Sequence, residues 1–142
     1  MSGAAFDEIV ENFELFDSWE DRYRYVIDLG REMPALDEGR KTDAAKVEGC
    51  ASQVWLVPEL REEAGSERLY FDGDSDAMIV RGLIAVLRAL ASGRRVAEIG
   101  GIDFEGELAR LELNQHLSAQ RSNGLKAMIG RLQDLAQSAE RA

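Results

Sequence analysis

Among 142 residues the sequence holds one cysteine and one histidine. No Cys-x-x-Cys pair exists, so a dithiol redox cycle within the chain is excluded. A zinc site of the Cys/His type and an iron–sulfur cluster held by four thiolates of this chain are excluded by the same shortage. Prolines number only two, and the 13 glycines fall mostly at breaks between patterned segments, which argues against a long disordered tail. Long apolar runs are missing too. The longest, over 77–90, is too short to span a bilayer and is interrupted by Arg81 and Arg88. Asp7, Glu8 and Glu11 stand where a secretory leader would need a basic start and an apolar core. The one glycine pair, Gly100-Gly101, follows no expected strand, so it is not a dinucleotide-binding loop. Positive charge is also in deficit: the net charge is −10. Phosphate attraction dominates nucleic-acid affinity, so neither nucleic acid nor membrane is expected as a partner. An unpaired thiol fits a reducing compartment, and cytoplasm is the expected setting.

The chain reads as a single domain over 1–142, a length that buries about two thirds of the unfolded surface without disulfide staples. Residues 1–60 carry 14 acids against 6 bases, an acidic face that is solvated or steers a basic partner. Phe6, Ile9, Val10, Phe13 and Phe16 recur at helical spacing. A second helix is predicted from Ser18, whose spacing to Asp21 resembles a capping box, with Trp19, Tyr23, Val26 and Ile27 on its apolar face and Gly30 and Pro34 at its end. Residues 34–45 read as a loop. The stretch 46–57 reads as one irregular strand or two short ones, ending at Pro58 or lying at a sheet edge. A turn is expected over 62–66, with the returning strand carrying Arg68, Leu69, Tyr70 and Phe71. A helix over about 76–92, capped by Asp74 or Ser75, is apolar nearly all round and is expected at the centre of the fold. A connector over 94–101 follows. Asp103 then caps a helix with Phe104, Leu108 and Leu111, and Ser118 caps a last helix with Leu125, Met128, Ile129, Leu132 and Leu135. The class is α+β, with a small antiparallel sheet of two to three strands packed against several helices.

Cys50 is the residue to which chemistry can be assigned. Gly49 precedes it and allows a tight bend, and the apolar run Val54-Trp55-Leu56-Val57 follows. Three readings are open. A lone cysteine can be a small buried hydrophobe. It can be a nucleophile paired with His116, as in a Cys/His hydrolase. It can also carry sulfur as a persulfide, in a step resembling thiol–disulfide exchange. A second thiol nearby would attack such a persulfide and release sulfide, so a carrier benefits from having no other cysteine.

Three blocks of sequence carry a family likeness. They are Val47-Glu48-Gly49-Cys50-Ala51-Ser52-Gln53-Val54-Trp55; Gly73-Asp74-Ser75-Asp76-Ala77 running into Ile79-Val80-Arg81-Gly82-Leu83-Ile84-Ala85-Val86; and Gln115-His116-Leu117 followed by Arg121-Ser122-Asn123-Gly124-Leu125-Lys126-Ala127-Met128. In this order and spacing the chain resembles SufE and its relative CsdE, sulfur acceptors of bacterial iron–sulfur cluster assembly. The likeness covers about residues 13–135. It implies an α+β fold shared with IscU-type scaffolds, although the three ligand cysteines of those scaffolds are absent here. It implies that Cys50 takes persulfide sulfur from a cysteine desulfurase of the SufS or CsdA type, stimulates that enzyme and passes the sulfur to a SufBCD-type scaffold. The chain is then an accessory sulfur-transfer protein rather than a stand-alone enzyme. It binds no metal and no cofactor, and the pyridoxal phosphate belongs to the partner. Gly49 and Ser52 support a cysteine loop that lies in an apolar hollow and swings out. Asp74 is either a helix cap or a reactive group. Arg121 either pairs with an acid in the fold or faces the desulfurase, and His116 is expected to be structural. The alternative is a module that activates a desulfurase without carrying sulfur.

Overall fold

The computed structural model of the chain describes residues 4–141. Two helices open it, α1 (Ala4–Leu15) and α2 (Trp19–Glu32). A long loop with one 3-10 turn (Glu38–Arg40) leads to a hairpin of β1 (Val54–Glu63) and β2 (Ser66–Ser75). Then come α3 (Met78–Ala91), the two-residue β3 (Arg94–Arg95), α4 (Val96–Ile99), α5 (Phe104–Ala109) and α6 (Ala119–Arg141). The sheet is antiparallel in the order β1-β2-β3. The α+β architecture with a three-stranded sheet is therefore the one expected from the sequence.

Burial follows the apolar spacing. Phe6, Ile9, Val10 and Phe13 are buried on α1, while Phe16 lies just past its end and is half-buried. Ser18 caps α2, its side-chain oxygen accepting from the Asp21 amide at 3.2 Å. On α3 nine of fourteen residues are buried, with Leu83, Ile84, Leu87 and Leu90 at most 1% exposed. This helix lies between α2 on one side and β2 on the other. Asp103 and Ser118 cap the helices they precede, accepting from the amides of Gly106 and Arg121.

Several boundaries depart from the sequence expectation, each for a packing reason. Gly30 does not end α2; it is buried inside the helix, which continues to Glu32. A Cβ at Gly30 would stand 2.6 Å from the Gly82 amide nitrogen, and one at Gly82 would stand 2.2 Å from the Val26 carbonyl oxygen. The two glycines let α2 and α3 cross with their backbones in contact. Of the two expectations for Pro58 the structure takes the second: the residue lies inside β1, which is the edge strand, where a missing N–H costs no ladder bond on the free side. The hairpin turn is only Ala64-Gly65, both at positive φ, the pattern of a type I′ turn. Asp74 and Ser75 do not cap α3. Pairing of Ser75 with Val54 extends β2 through both, and the helix starts after Ala77 with no side-chain cap. The connector over 94–101 supplies the third strand, Arg68 and Leu69 pairing with Arg95 and Arg94.

The α2–α3 crossing generates a test. Gly82→Ala would drive a methyl into the Val26 carbonyl, so the helices must separate. The denaturation midpoint should fall by at least the about 1–3 kcal/mol typical of overpacking, whereas the exposed Gly39, with nothing within 4 Å, should accept alanine without comparable loss.

Candidate functional site

Cys50 sits in a loop pinched at its base by strand pairing. The Val47 amide donates to the Val54 carbonyl at 2.8 Å, the Leu56 amide donates to the Ala45 carbonyl at 2.9 Å, and Lys46 bridges to Trp55. Two further ties hold the base. Gln53 and Asp76 exchange bonds, amide to carboxylate at 3.1 Å and amide to carbonyl at 3.3 Å. Arg131 of α6 donates to the carbonyls of Lys46, at 3.3 Å, and of Ala44. The bend itself needs Gly49, whose φ of +90° places it in the region that side-chain-bearing residues avoid.

The loop lays the thiol against the first turns of α6. Cys50 Sγ donates to the Gly124 carbonyl at 3.6 Å. The sulfur rests close over Gly124: a Cβ there would be in ordinary contact, 3.5 Å from it. The cysteine is half-buried at a hollow of about 310 Å³. Val54, Val80, Leu83, Leu125 and Met128 make its apolar wall, and Ser52, Ser118, Gln120 and Arg121 line its polar part. Burial first, and the Glu48 carboxylate second, push the Cys50 thiol up from its ordinary value. In this position the sulfur is held as a neutral thiol.

The other residues singled out in the sequence fall in three places. Ser52 and Arg121 share the hollow with Cys50. Among the described residues no carboxylate lies within 4 Å of the exposed Arg121 guanidinium, so a fold-internal ion pair does not occupy it. His116 is elsewhere: its ring stacks on Trp19 at 3.6 Å and 18°, and the Arg22 guanidinium lies 5.1 Å from the centre of the same indole. His116 does not line the hollow and the thiol bonds to a carbonyl, so the Cys/His pair of a hydrolase is not assembled.

Asp74 is 3% exposed and accepts from the amides of Leu36 and Ser75 and from the Arg81 guanidinium, with Lys41 at 3.7 Å. Burial pushes its carboxyl up, but the Leu36 and Ser75 amides and Arg81 outweigh burial and hold it below the usual carboxylate range. It is neither the helix cap nor a group within the cysteine hollow. Sequence reasoning missed Gly124, which stands there only within the third family block, with no part given to it at the thiol. Its signal was a helix-breaking residue kept in a strongly periodic helix. Among the described residues no group of three or more His, Cys, Asp or Glu could hold a metal ion, and no helix is long and apolar enough to cross a membrane.

Comparison with known proteins bears on this geometry. A family model described as "SufE: Fe-S metabolism associated domain" matches residues 7–136. The chain belongs to the SufE family. An uncharacterized SufE-like protein of Rhizobium meliloti is 47% identical over 133 residues, covering 94% of this chain and 95% of that one. A second, from Rhizobium etli, is 46% identical over 133 residues, covering 94% and 90%. In fold, the chain is similar to a hypothetical protein of Thermus thermophilus solved in solution, with a TM-score of 0.74 over the full length of both chains at 21% identity. As a SufE-family protein the chain is associated with iron–sulfur metabolism.

Two tests follow from the side chains. Free protein should react with iodoacetamide more slowly than the denatured chain at neutral pH, and the rate should rise with a midpoint above the usual thiol value of about 8.5. Equal rates would mean that the thiol is already exposed. Asp74→Asn should cost about 3–5 kcal/mol at neutral pH, because Arg81 would keep its buried charge with carbonyls but no carboxylate to balance it. The lowered carboxyl gives stability that is full above its unfolded value of about 3.9 and lost as pH falls through the still lower folded value. Acid denaturation curves of the variant should be flatter than those of the parent below about pH 4.

Proposed function

We propose that this SufE-family chain is a sulfur acceptor with Cys50 as the carrier. The observation that carries the reading is a solitary thiol, seated in its own hollow by a loop that is firmly anchored at its base and held at the cysteine by one weak bond to Gly124. A cysteine desulfurase of the SufS or CsdA type, with its own pyridoxal phosphate, presents a persulfide. The Cys50 thiolate attacks the outer sulfur of that persulfide. The new sulfur–sulfur bond forms at Cys50 as the donor's sulfur–sulfur bond breaks, and the donor leaves as a thiolate. The chain supplies no cofactor to this step, and the sulfur then passes to a SufBCD-type scaffold in the cytoplasm.

The seat observed here is the resting one. Hydrogen bonding to Gly124, burial and Glu48 all favour the neutral thiol, which is a poor nucleophile. Swinging the loop out at Gly49 removes the burial, the larger of the two causes that favour the neutral thiol, and presents the sulfur to the donor. The chain also stimulates the desulfurase, because it clears the persulfide on which turnover would otherwise stall. Ser52 and Arg121, at the polar side of the hollow, face the incoming donor, while Asp74 and His116 serve the fold.

Incubation with a matching desulfurase and L-cysteine should add the mass of sulfur to Cys50, read by intact mass spectrometry and removed by dithiothreitol. Cys50→Ser should take no adduct and should lose stimulation of the desulfurase. A chain that gains no sulfur while Cys50→Ser stimulates fully would be an activator without a carrier role.

A further inference from the structure

The arm that enters the cysteine loop, residues 44–47, is tied on two sides by alternate residues. Toward the sheet, the Ala45 carbonyl accepts from the Leu56 amide and the Val47 amide donates to the Val54 carbonyl. Toward α6, the carbonyls of Ala44 and Lys46 both accept from the Arg131 guanidinium. Gly124, Ala127 and the half-buried Arg131 share one face of α6, at i, i+3 and i+7. The loop runs back along that face from arm to tip. The Lys46 and Ala44 carbonyls meet Arg131, a Cβ at Gly49 would lie 3.4 Å from the Ala127 methyl, and the Cys50 thiol rests on Gly124. Among the described residues no carboxylate lies within 4 Å of the Arg131 guanidinium. Its donors serve the arm rather than an ion pair.

We propose that Arg131 is a positioning residue for sulfur transfer, a latch that holds the entering arm against α6 so that opening is confined to the tip over 48–52. The inference rests on the sulfur-acceptor reading, which makes opening the productive motion. Without the latch, the arm keeps only its bonds to the outer side of the edge strand β1 and moves together with the tip. Cys50 then spends more time away from Gly124. The out-swung state gains population, and a partner that binds only that state is engaged more readily. Loss of the latch therefore acts with a sign opposite to simple damage. The thiol becomes more reactive, and the desulfurase is engaged at a lower concentration of the chain.

Arg131→Met keeps most of the stem and removes the donors, and Arg131→Gln serves in its place if that variant does not fold. Arg22→Met is the matched control. The Arg22 guanidinium donates to the carbonyls of Phe13 and Phe16, each at 3.1 Å, and the residue does not line the cysteine hollow. In free protein well below the melting transition, iodoacetamide should label Cys50 of Arg131→Met about fivefold faster than the parent or more. Arg22→Met should label at the parent rate, even where its melting temperature falls as far. Arg131→Lys, which keeps a charge able to reach one carbonyl, should recover part of the protection. With purified desulfurase and L-cysteine, Arg131→Met should half-saturate stimulation at a severalfold lower concentration than the parent, with the maximal rate and the sulfur on Cys50 retained. Parent-like labelling overturns the latch. Equal acceleration in Arg22→Met overturns it too, because the loosening is then general. A raised half-saturating concentration overturns the positioning role. The labelling result involves no desulfurase, so it stands or falls separately from a failure of the parent to gain sulfur, which overturns the sulfur-acceptor reading.

Discussion

The close crossing of α2 and α3, locked by Arg81, is the constraint on which the rest of the structure depends. Gly30 and Gly82 bring the two backbones together, and Arg81 then reaches across the contact. Its guanidinium donates to the carbonyls of Gly30, at 3.0 Å, and Met33, at 2.8 Å, which lie at the end of α2, and it pairs with Asp74 at the end of β2. One side chain thus joins a helix end, a strand end and the helix that fills the core. A buried ion pair of this kind adds little net stability over an apolar replacement, but removing one partner is costly. Its contribution is to fix one arrangement of three elements, since Asp74 also accepts from Leu36 in the loop that covers the strand end.

That arrangement decides where the thiol lies. β2 and α3 set the position of β1 and, through Asp76, of Gln53 at the base of the cysteine loop. α6 closes the other side with Arg131 at the base and Gly124 under the sulfur. The base of the loop is over-determined, while Cys50 itself is attached by one weak bond from a thiol. A segment built this way can move at its tip without disturbing its anchors, which is what a carrier requires.

Two glycines of α6 have different surroundings. A Cβ at Gly124 would be in ordinary contact with Cys50, 3.5 Å from its sulfur. Around a Cβ at Gly130 nothing among the described residues lies within 4 Å. The helix therefore lines two recesses from one regular backbone, the cysteine hollow on one flank and a groove against α5 on the other, with the buried Leu125 beneath the helix between them.

The sequence by itself determined the class of elements, their order, most of the core and the one thiol available to any cysteine chemistry. Apolar periodicity reports which face of a helix is buried, Ser18, Asp103 and Ser118 announce helix starts, and a single cysteine leaves no choice of thiol. What only the tertiary structure decided are the roles that depend on a distant neighbour. Gly30 reads locally as a helix stop and Asp74 as a cap, because local rules assume that a glycine or an acid serves its own segment. In the fold, Gly30 meets Gly82 and Asp74 meets Arg81 and Leu36. Gly124 reads as a weakness until Cys50, 74 positions away, comes to rest on it. Backbone contact between remote segments leaves no periodicity in the sequence, so packing alone decides whether a glycine is a break, a crossing point or a seat.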